Sequence, residues 1–158
     1  MTLTNNVTRF LEAHHVRFTA HELPTQKLGA LEAAQHLGVP PEQVFKTIVI
    51  TRERGKPVLA VIPGPRVVDL KSLAALMGEK KVHVPSEREA EGLTGLQAGG
   101  ISPLALINKG FQVVIDSACD KLAELYISGG QRVINLKLSV EDLKRLVNAR
   151  TGPISRLE

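Results

Sequence analysis

The stretch 44-VFKTIVI-50 places one lysine inside an otherwise apolar, β-branched run. Such a run is typical of a strand, in which alternate side chains point to opposite faces of a sheet. Lys46 would then share its face with Ile48 and Ile50. A buried ammonium is costly unless it is paired or used, so the pattern alone favours a Lys46 side chain that reaches out to water. The alternative is a cation held at the mouth of a binding site.

The segments around this run predict alternating helices and strands. A turn at 53–56 would join the run to a second strand, 58–64, as a hairpin. Asp69 is a candidate N-cap, and Ser86 and Ser139 each have an acidic residue three positions later, as in a capping box. Helices are expected at 5–15, 25–37, 70–78, 86–93 and 140–149, a short helical turn at 40–42, and strands at 16–22, 45–52, 80–85, 111–116, 124–128 and 132–138.

These elements predict an α+β, or mixed α/β, fold. The strands are short and not regularly separated by helices, which argues against a doubly wound parallel sheet. We expect a single domain over residues 1–158, in which helices flank a curved, partly closed mixed β-sheet. The sequence contains neither GxGxxG nor a P-loop, so a nucleotide-binding fold has no support.

The composition, 43% apolar and 23% charged, is that of an ordinary globular protein. The net charge of +4 permits an anionic partner such as nucleic acid without requiring one. A single cysteine, Cys119, excludes an internal disulfide and favours a reducing, cytoplasmic location. The sequence has no apolar stretch that predicts a membrane span and no Cys/His spacing that predicts a metal site, so neither a metal nor a cofactor is expected.

Two glycine pairs are candidates for backbone contacts with a ligand. The first lies in 99-GGISPL-104 and the second in 128-SGG-130, which is expected to be a tight connection between two strands. Paired glycines accept positive φ and allow a ligand to approach the main chain closely, and neighbouring amides can bind an anion or a carbonyl oxygen. Taken singly, each pair is more typical of a turn.

The ordered combination is more specific than any one motif. The set 44-VFKT-47, 99-GGISPL-104 and 126-YISGG-130, followed by Arg132 and the 140-VEDL-143 helix, resembles the YbaK/EbsC family. These proteins are free-standing relatives of the editing domain of bacterial prolyl-tRNA synthetase. The resemblance covers the chain from its first helix to about residue 148. It implies a trans-editing hydrolase that deacylates mischarged tRNA, with Cys-tRNA(Pro) as the expected substrate.

The resemblance also implies which residues form the site. The expected partner is the 3′ aminoacyl-adenosine end of tRNA, with prolyl-tRNA synthetase as a candidate docking partner. The alternatives are a deacylase for Ala-tRNA or another mischarged tRNA, and a non-catalytic module that binds tRNA or a synthetase. By family position, the expected catalytic residues are Lys46, Gly99 and Gly100, and the expected substrate-binding residues are Ile101, Ser102, Pro103, Ser128, Gly129 and Gly130.

One departure from the family affects the substrate more than the reaction. YbaK-like sequences often carry an aromatic residue just after the first strand, in a region that borders the family's pocket. Here the stretch 21-HELPTQKLGA-30 has Leu23 and Leu28 but neither Tyr nor Phe. The amino acid that is removed therefore stays open between cysteine and alanine.

The sequence offers no protein nucleophile with an activating partner. Cys119 has no histidine at a matching motif position, the five histidines are scattered, and there is no GxSxG elbow. In the cysteine branch of the family, the thiol of the substrate can attack its own carbonyl carbon. Lys46 would then act as a cation that anchors the substrate, and the amides of residues 99–101 would hold the ester carbonyl.

Overall fold

The computed structural model describes residues 3–158, which form five α-helices and ten strands. The prediction of a mixed α/β fold is confirmed. The helices are α1 (Asn6–Ala13), α2 (Ala30–Leu37), α3 (Leu70–Met77), α4 (Glu87–Thr94) and α5 (Val140–Val147). The strands are β1 (Phe18–Glu22), β2 (Phe45–Arg52), β3 (Val58–Pro63), β4 (Val67–Val68), β5 (Val82–His83), β6 (Gln112–Asp116), β7 (Glu124–Gln131), β8 (Ile134–Ser139), β9 (Arg150–Gly152) and β10 (Ser155–Arg156).

The strands form two sheets and a small ribbon. A five-stranded mixed sheet has the order β5-β2-β3-β6-β9, in which β2 and β3 are the predicted hairpin and β6 and β9 add in parallel. A three-stranded antiparallel sheet has the order β1-β8-β7. A parallel bridge between Val44 and Tyr126 joins the start of β2 to β7, so the two sheets meet there. Strands β4 and β10 pair as a separate ribbon.

The five-stranded sheet is covered on both faces, as the period-two pattern of β2 predicts. Phe45 and Val49 pack in the larger core cluster, together with residues of the three-stranded sheet, α1 and α5. Ile48 and Ile50 pack on the opposite face, in a second cluster that includes residues of α3. Lys46 shares this second face and is paired across the strands with Ile62. It is half-buried, so its charge lies close to the core.

Local sequence signals place most helix ends correctly. The predicted caps at Asp69, Ser86 and Ser139 all accept a backbone N–H in the first turn of their helix. The helix expected over 25–37 begins only at Ala30, with Gly29 as N-cap. The preceding residues, from Leu23 to Gly29, form an irregular segment instead, and this segment borders the cavity described below.

The predicted connection at Gly129–Gly130 is wrong. Both glycines lie inside β7, where the pairing with β8 slips by a β-bulge between Ser128 and Gln131. Gly130 takes φ +98°, and a Cβ on Gly129 would lie 2.7 Å from Ile134 Cγ2. The strand therefore needs glycine at a bulge, and the chain reverses only at residues 132–133.

The C-terminal strands, which the sequence pattern does not predict, are anchored by a buried carboxylate. Asp116 at the end of β6 is 5% exposed. Its side chain accepts hydrogen bonds from the N–H of Ala118 at 3.0 Å and of Ile154 at 2.9 Å. Ile154 itself is fully buried in the second core cluster. The segment after α5 thus adds β9 to the five-stranded sheet and β10 to the ribbon with β4.

Candidate active site

A cavity of about 300 Å³ opens where the two sheets meet. The start of β2 forms its base, the segment from Leu23 to Ala33 covers one side, and α4 and the loop 98–101 cover another. Ser128 of β7 and Asn135 of β8 complete the wall from the three-stranded sheet. This volume lies at the small end of ligand pockets, which suits an amino acid and not a large cofactor.

Lys46 lines this cavity, and its charge forms no ion pair with the residues that the structure describes. Its Nζ donates a hydrogen bond to the carbonyl oxygen of Gly64 at 2.9 Å. Within residues 3–158, no carboxylate forms an ion pair with it. Burial lowers the pKa of Lys46, and the negative charge of Glu158 offsets this only in part. An anionic ligand would give Lys46 the directly paired opposite charge that no carboxylate of residues 3–158 provides.

Glycine at position 64, behind Lys46, leaves room for α2 to pack against the β2–β3 hairpin. The N–H of Gly64 donates to the carbonyl oxygen of Val44 at 2.8 Å, which closes the end of the β2–β3 hairpin. A Cβ at Gly64 would lie 2.7 Å from the Cβ of Ala30, the first residue of α2. Glycine at this position therefore allows α2 to approach the hairpin and narrow the cavity.

The loop of Gly99 and Ile101 is held in place from both sides. The N–H of Ala98 donates to Glu91 Oε2 of α4, and the carbonyl oxygen of Ala98 accepts from Arg132 Nε, both at 2.8 Å. Gly99 has φ +89°, so the main chain turns here as only glycine readily does. Among residues 3–158, no acceptor is found for the N–H groups of Gly99 and Ile101. Two amides are therefore available to a ligand beside the cavity.

Of the nine predicted site residues, the structure brings four together at the cavity. These four are Lys46, Gly99, Ile101 and Ser128. The other five do not line it: Gly100, Ser102, Pro103, Gly129 and Gly130.

Those five residues instead shape the surroundings of the cavity. The N–H of Gly100 donates to Gln97, and a Cβ there would meet main-chain atoms of Gln131 at 3.1 Å. Ser102 is fully buried, and its hydroxyl accepts from the N–H of Leu104. Pro103 is buried in the same turn, and Gly129 and Gly130 line a different, more open hollow beside α1.

The cavity also includes residues that sequence reasoning missed. Lys27 and Glu87 form an ion pair between the segment before α2 and the start of α4, and both line the cavity. Thr47 and Asn135 place polar groups on its wall, although neither lies in a recognisable motif. Leu23 and Leu28 line it as well, so the stretch that lacks the family aromatic does border the pocket.

The described residues that line the cavity include no cysteine and no histidine. Cys119 is fully buried in the larger core cluster. Burial raises its pKa to about 11, with the nearby Lys144 opposing the shift. A thiol in that state is protonated at neutral pH and is a poor nucleophile. The structure also contains no group of three or more potential metal ligands among residues 3–158, and no helix there is long and apolar enough to cross a membrane.

Comparison with known proteins gives the class of this molecule. The family model for the aminoacyl-tRNA editing domain matches residues 26–146, which include β2, the loop 98–101 and β7. The protein is thus a hydrolytic aminoacyl-tRNA deacylase of the editing type. The chain belongs to the aminoacyl-tRNA editing domain family.

Individual relatives agree with this assignment. The chain is 32% identical over 155 residues to the candidate Cys-tRNA(Pro)/Cys-tRNA(Cys) deacylase EbsC of Enterococcus faecalis, covering 97% of this chain and 94% of the relative. It is 27% identical over 100 residues to the proline–tRNA ligase of Trichlorobacter lovleyi, covering 63% of this chain but 17% of the ligase. A crystal structure of a candidate trans-editing enzyme for prolyl-tRNA synthetase superposes with a TM-score of 0.81 at 25% identity, covering 98% of this chain and 99% of that one. A hypothetical protein of known structure gives a TM-score of 0.88, also at 25% identity, over 96% and 100% of the two chains.

Proposed function

We propose that this editing enzyme removes cysteine from tRNA(Pro), with Lys46, Gly99, Ile101 and Ser128 as its substrate-contacting residues. The observation that carries the proposal is the content of the cavity as residues 3–158 form it: a cation without an ion-pair partner, two amides without an acceptor, and neither a cysteine nor a histidine that could act as nucleophile. The relative from Enterococcus faecalis is named for Cys-tRNA(Pro) and Cys-tRNA(Cys). An editing site of this kind is needed because a synthetase pocket that admits proline discriminates weakly against amino acids of similar or smaller size.

In this proposal the substrate provides its own nucleophile. The sulfur of the cysteinyl group attacks the ester carbonyl carbon, and a C–S bond forms as the C–O bond to the terminal ribose breaks. The thiol proton passes to the ribose oxygen, directly or through water, and the products are a thiolactone and free tRNA. Water then opens the thiolactone to cysteine.

The protein would bind and polarise the ester during this reaction. The N–H groups of Gly99 and Ile101 would donate to the carbonyl oxygen as it gains negative charge. Lys46 would bind the ribose–phosphate end of the tRNA as a cation. Removing one such transition-state contact commonly costs about 10²–10³ in kcat. Orientation of the aminoacyl ester within the small cavity would supply the rest of the rate enhancement.

A second substrate, alanyl-tRNA, is favoured by one observation. Leu23 and Leu28 give the cavity an apolar side in the place where relatives often have an aromatic residue. An alanine side chain has no nucleophile, so its ester would require an attacking water held near the loop 98–101. Docking on prolyl-tRNA synthetase is a further part of the proposal, supported by the similarity to ligase segments.

The deciding experiment charges tRNA(Pro) separately with labelled cysteine, alanine and serine and measures release of each label. The three amino acids differ by little more than one atom, so fit alone cannot separate them by a large factor. We expect rapid release of cysteine with a detectable thiolactone, and much slower release of alanine and serine. Release of alanine as fast as cysteine would overturn the thiol mechanism and establish the second substrate. If none of the three labels is released, the proposed function is wrong, and the alternative of a non-catalytic module that binds tRNA or a synthetase is favoured.

A further inference from the structure

Three buried polar atoms of the described residues lack a hydrogen-bond partner. They are His21 Nε2, Thr47 Oγ1 and Asn135 Oδ1. Buried polar atoms without partners are uncommon in native proteins, and each one calls for an explanation. Two of these residues, Thr47 and Asn135, line the cavity. Two of the three unpartnered atoms thus belong to residues that line the cavity, and the third belongs to His21, which is paired with Asn135 on the sheet.

The pairing of the strands places these residues next to one another. Asn135 lies on the central strand of the three-stranded sheet, directly opposite His21 on one side and Ser128 on the other. Residues that face each other in this way lie on the same face, with Cβ atoms about 4.5–5.5 Å apart. Thr47 approaches from the other sheet, three residues after the Val44 bridge. We call Thr47, Ser128 and Asn135 the polar wall of the cavity.

The polar wall offers oxygen atoms where a substrate would need them. An aminoacyl ester carries an α-amino group, which as an ammonium donates up to three hydrogen bonds. Among the described residues, the only carboxylate that lines the cavity is Glu87, and it is already paired with Lys27. Ser128 Oγ accepts one hydrogen bond, from the N–H of Gly130 at 3.2 Å, and retains a second lone pair.

We propose that the polar wall binds the α-amino group of the aminoacyl ester, and that His21 is a positioning residue which holds Asn135 for this contact. The inference rests on the proposed function, because it concerns the substrate of the same cavity. It assigns Asn135 as the main acceptor. Asn135 is only 5% exposed, and on the sheet it lies between His21 and Ser128.

The role of His21 follows from the two unpartnered atoms at the β1–β8 pairing. A half-turn of the Asn135 amide exchanges its oxygen and nitrogen, which have nearly the same shape. Nδ2 would then be placed to donate to Nε2 of His21, and Oδ1 would turn toward the cavity. One change would therefore give both residues a partner and present an acceptor to the ligand. Tyr126 holds the imidazole from the side, with the two ring centroids 5.7 Å apart.

The first test changes the amino group of the substrate. Cys-tRNA(Pro) is compared with N-acetyl-Cys-tRNA(Pro) and with 3-mercaptopropionyl-tRNA(Pro), which lacks the amino group without added bulk. Each kcat/KM is divided by the uncatalysed rate of the same ester, since the amino group also affects intrinsic reactivity. We expect the wild-type protein to prefer the free amino group by about 10- to 100-fold, the range of one hydrogen bond to a charged group.

The second test changes the wall itself. Asn135→Leu should reduce this preference to within about threefold, whereas Asn135→Asp, which loses the donor to His21 but places a charged acceptor of the same shape opposite the ammonium, should retain it. His21→Phe should lower the preference and raise KM with little change in kcat, and His21→Gln, which can again accept from the amide, should restore it. A loss of activity without a change in this preference would indicate only a structural role.

The outcomes separate the inference from the function on which it rests. If the wild-type protein deacylates all three substrates with equal efficiency, the amino group is not recognised and the inference is wrong, although the enzyme remains a deacylase. If Asn135→Asp loses the preference as fully as Asn135→Leu does, an acceptor at this position is not what the amino group requires, and the assignment of Asn135 as the acceptor is overturned. If no substrate is deacylated, the proposed function fails, and the inference fails with it.

Discussion

Replacing Gly100 with alanine should weaken the fold more than the chemistry. A Cβ at this position would lie 3.1 Å from the Cα and carbonyl carbon of Gln131 and from the nitrogen of Arg132. All three are main-chain atoms of the β7–β8 turn, so they cannot move aside as the end of a flexible side chain would. The loop and the turn would have to separate by a few tenths of an ångström, and the hydrogen bond from Arg132 Nε to Ala98 spans that gap.

The expected cost follows from this geometry. Overpacking of a well-packed site costs about 1–3 kcal/mol. In a chain of this length, each kcal/mol lowers Tm by about 2–4 °C, so Gly100→Ala should lose roughly 2–12 °C. Because Gly100 does not line the cavity, kcat/KM for deacylation should fall by no more than about fivefold below the melting transition, on the scale of a small displacement of the neighbouring loop.

The measurement combines thermal unfolding by circular dichroism with single-turnover deacylation at 25 °C. Gly92→Ala is the matched control, because Gly92 lies within α4, is exposed, and has no atom within 4 Å of an added Cβ. That change should stabilise the protein by about 0.5–1 kcal/mol and leave activity unchanged. The reasoning is refuted if Gly100→Ala keeps the wild-type Tm but loses more than about 30-fold in kcat/KM, since Gly100 would then contact the ester.

Three further predictions concern the chemistry. Lys46→Ala should reduce deacylation about 100-fold or more, whereas the control Lys71→Ala, which changes an exposed lysine on α3, should have no effect. Lys46→Arg should restore little activity, because a planar guanidinium differs from an ammonium in shape and reach. Near-normal turnover by Lys46→Ala would show that Lys46 is not part of the site. Cys119→Ser should leave the rate of cysteine release within about twofold of wild type. The same change should lower Tm by about 2–8 °C, because a hydroxyl replaces a fully buried thiol. A large loss of rate in the folded variant would contradict the substrate-thiol mechanism. Because burial lowers the pKa of Lys46 from 10.5, its positive charge is lost at a lower pH than that of an ordinary lysine as the solution becomes alkaline. The rate relative to uncatalysed hydrolysis should therefore fall at a lower pH than an ordinary lysine allows. A ratio that stays flat up to a pH of about 10.5 would show that the ammonium is not required.

The parts of the fold that the sequence predicts are those set by local interactions. The caps at Asp69, Ser86 and Ser139 depend on residues within one helical turn, and the β2 pattern depends on alternation along one strand. The glycine bulge in β7 is different, because its shape depends on Ile134 and Leu136 of the neighbouring strand. Strands β9 and β10 are only three and two residues long, too short for a pattern to emerge.

The functional site likewise contains residues with a local sequence signal and residues without one. Lys46 and Gly99 stand out because a charge in an apolar run and a glycine pair are unusual within a few residues of sequence. Asn135 has no such signal: it becomes a candidate only because strand pairing places it opposite His21, which lies far away in the chain. Likewise, the separation of Ser128 from Gly129 and Gly130 depends on strand alternation at a bulge, so adjacent residues of one motif face different hollows.

The hydrogen bond from the N–H of Ile154 to the side chain of Asp116 bears on which part of this chain could fold by itself. The family match ends at residue 146, yet a piece cut at that point would lose β9, β10 and the fully buried Ile154. It would also leave the buried carboxylate of Asp116 without one of its two donors, which commonly costs about 1–3 kcal/mol or more. A piece that began at residue 26 would lose β1 as well, and with it the edge of the three-stranded sheet. The region that matches the family model is therefore smaller than the set of elements that pack together here, and we expect a transplant of the activity into another protein to require both flanking segments.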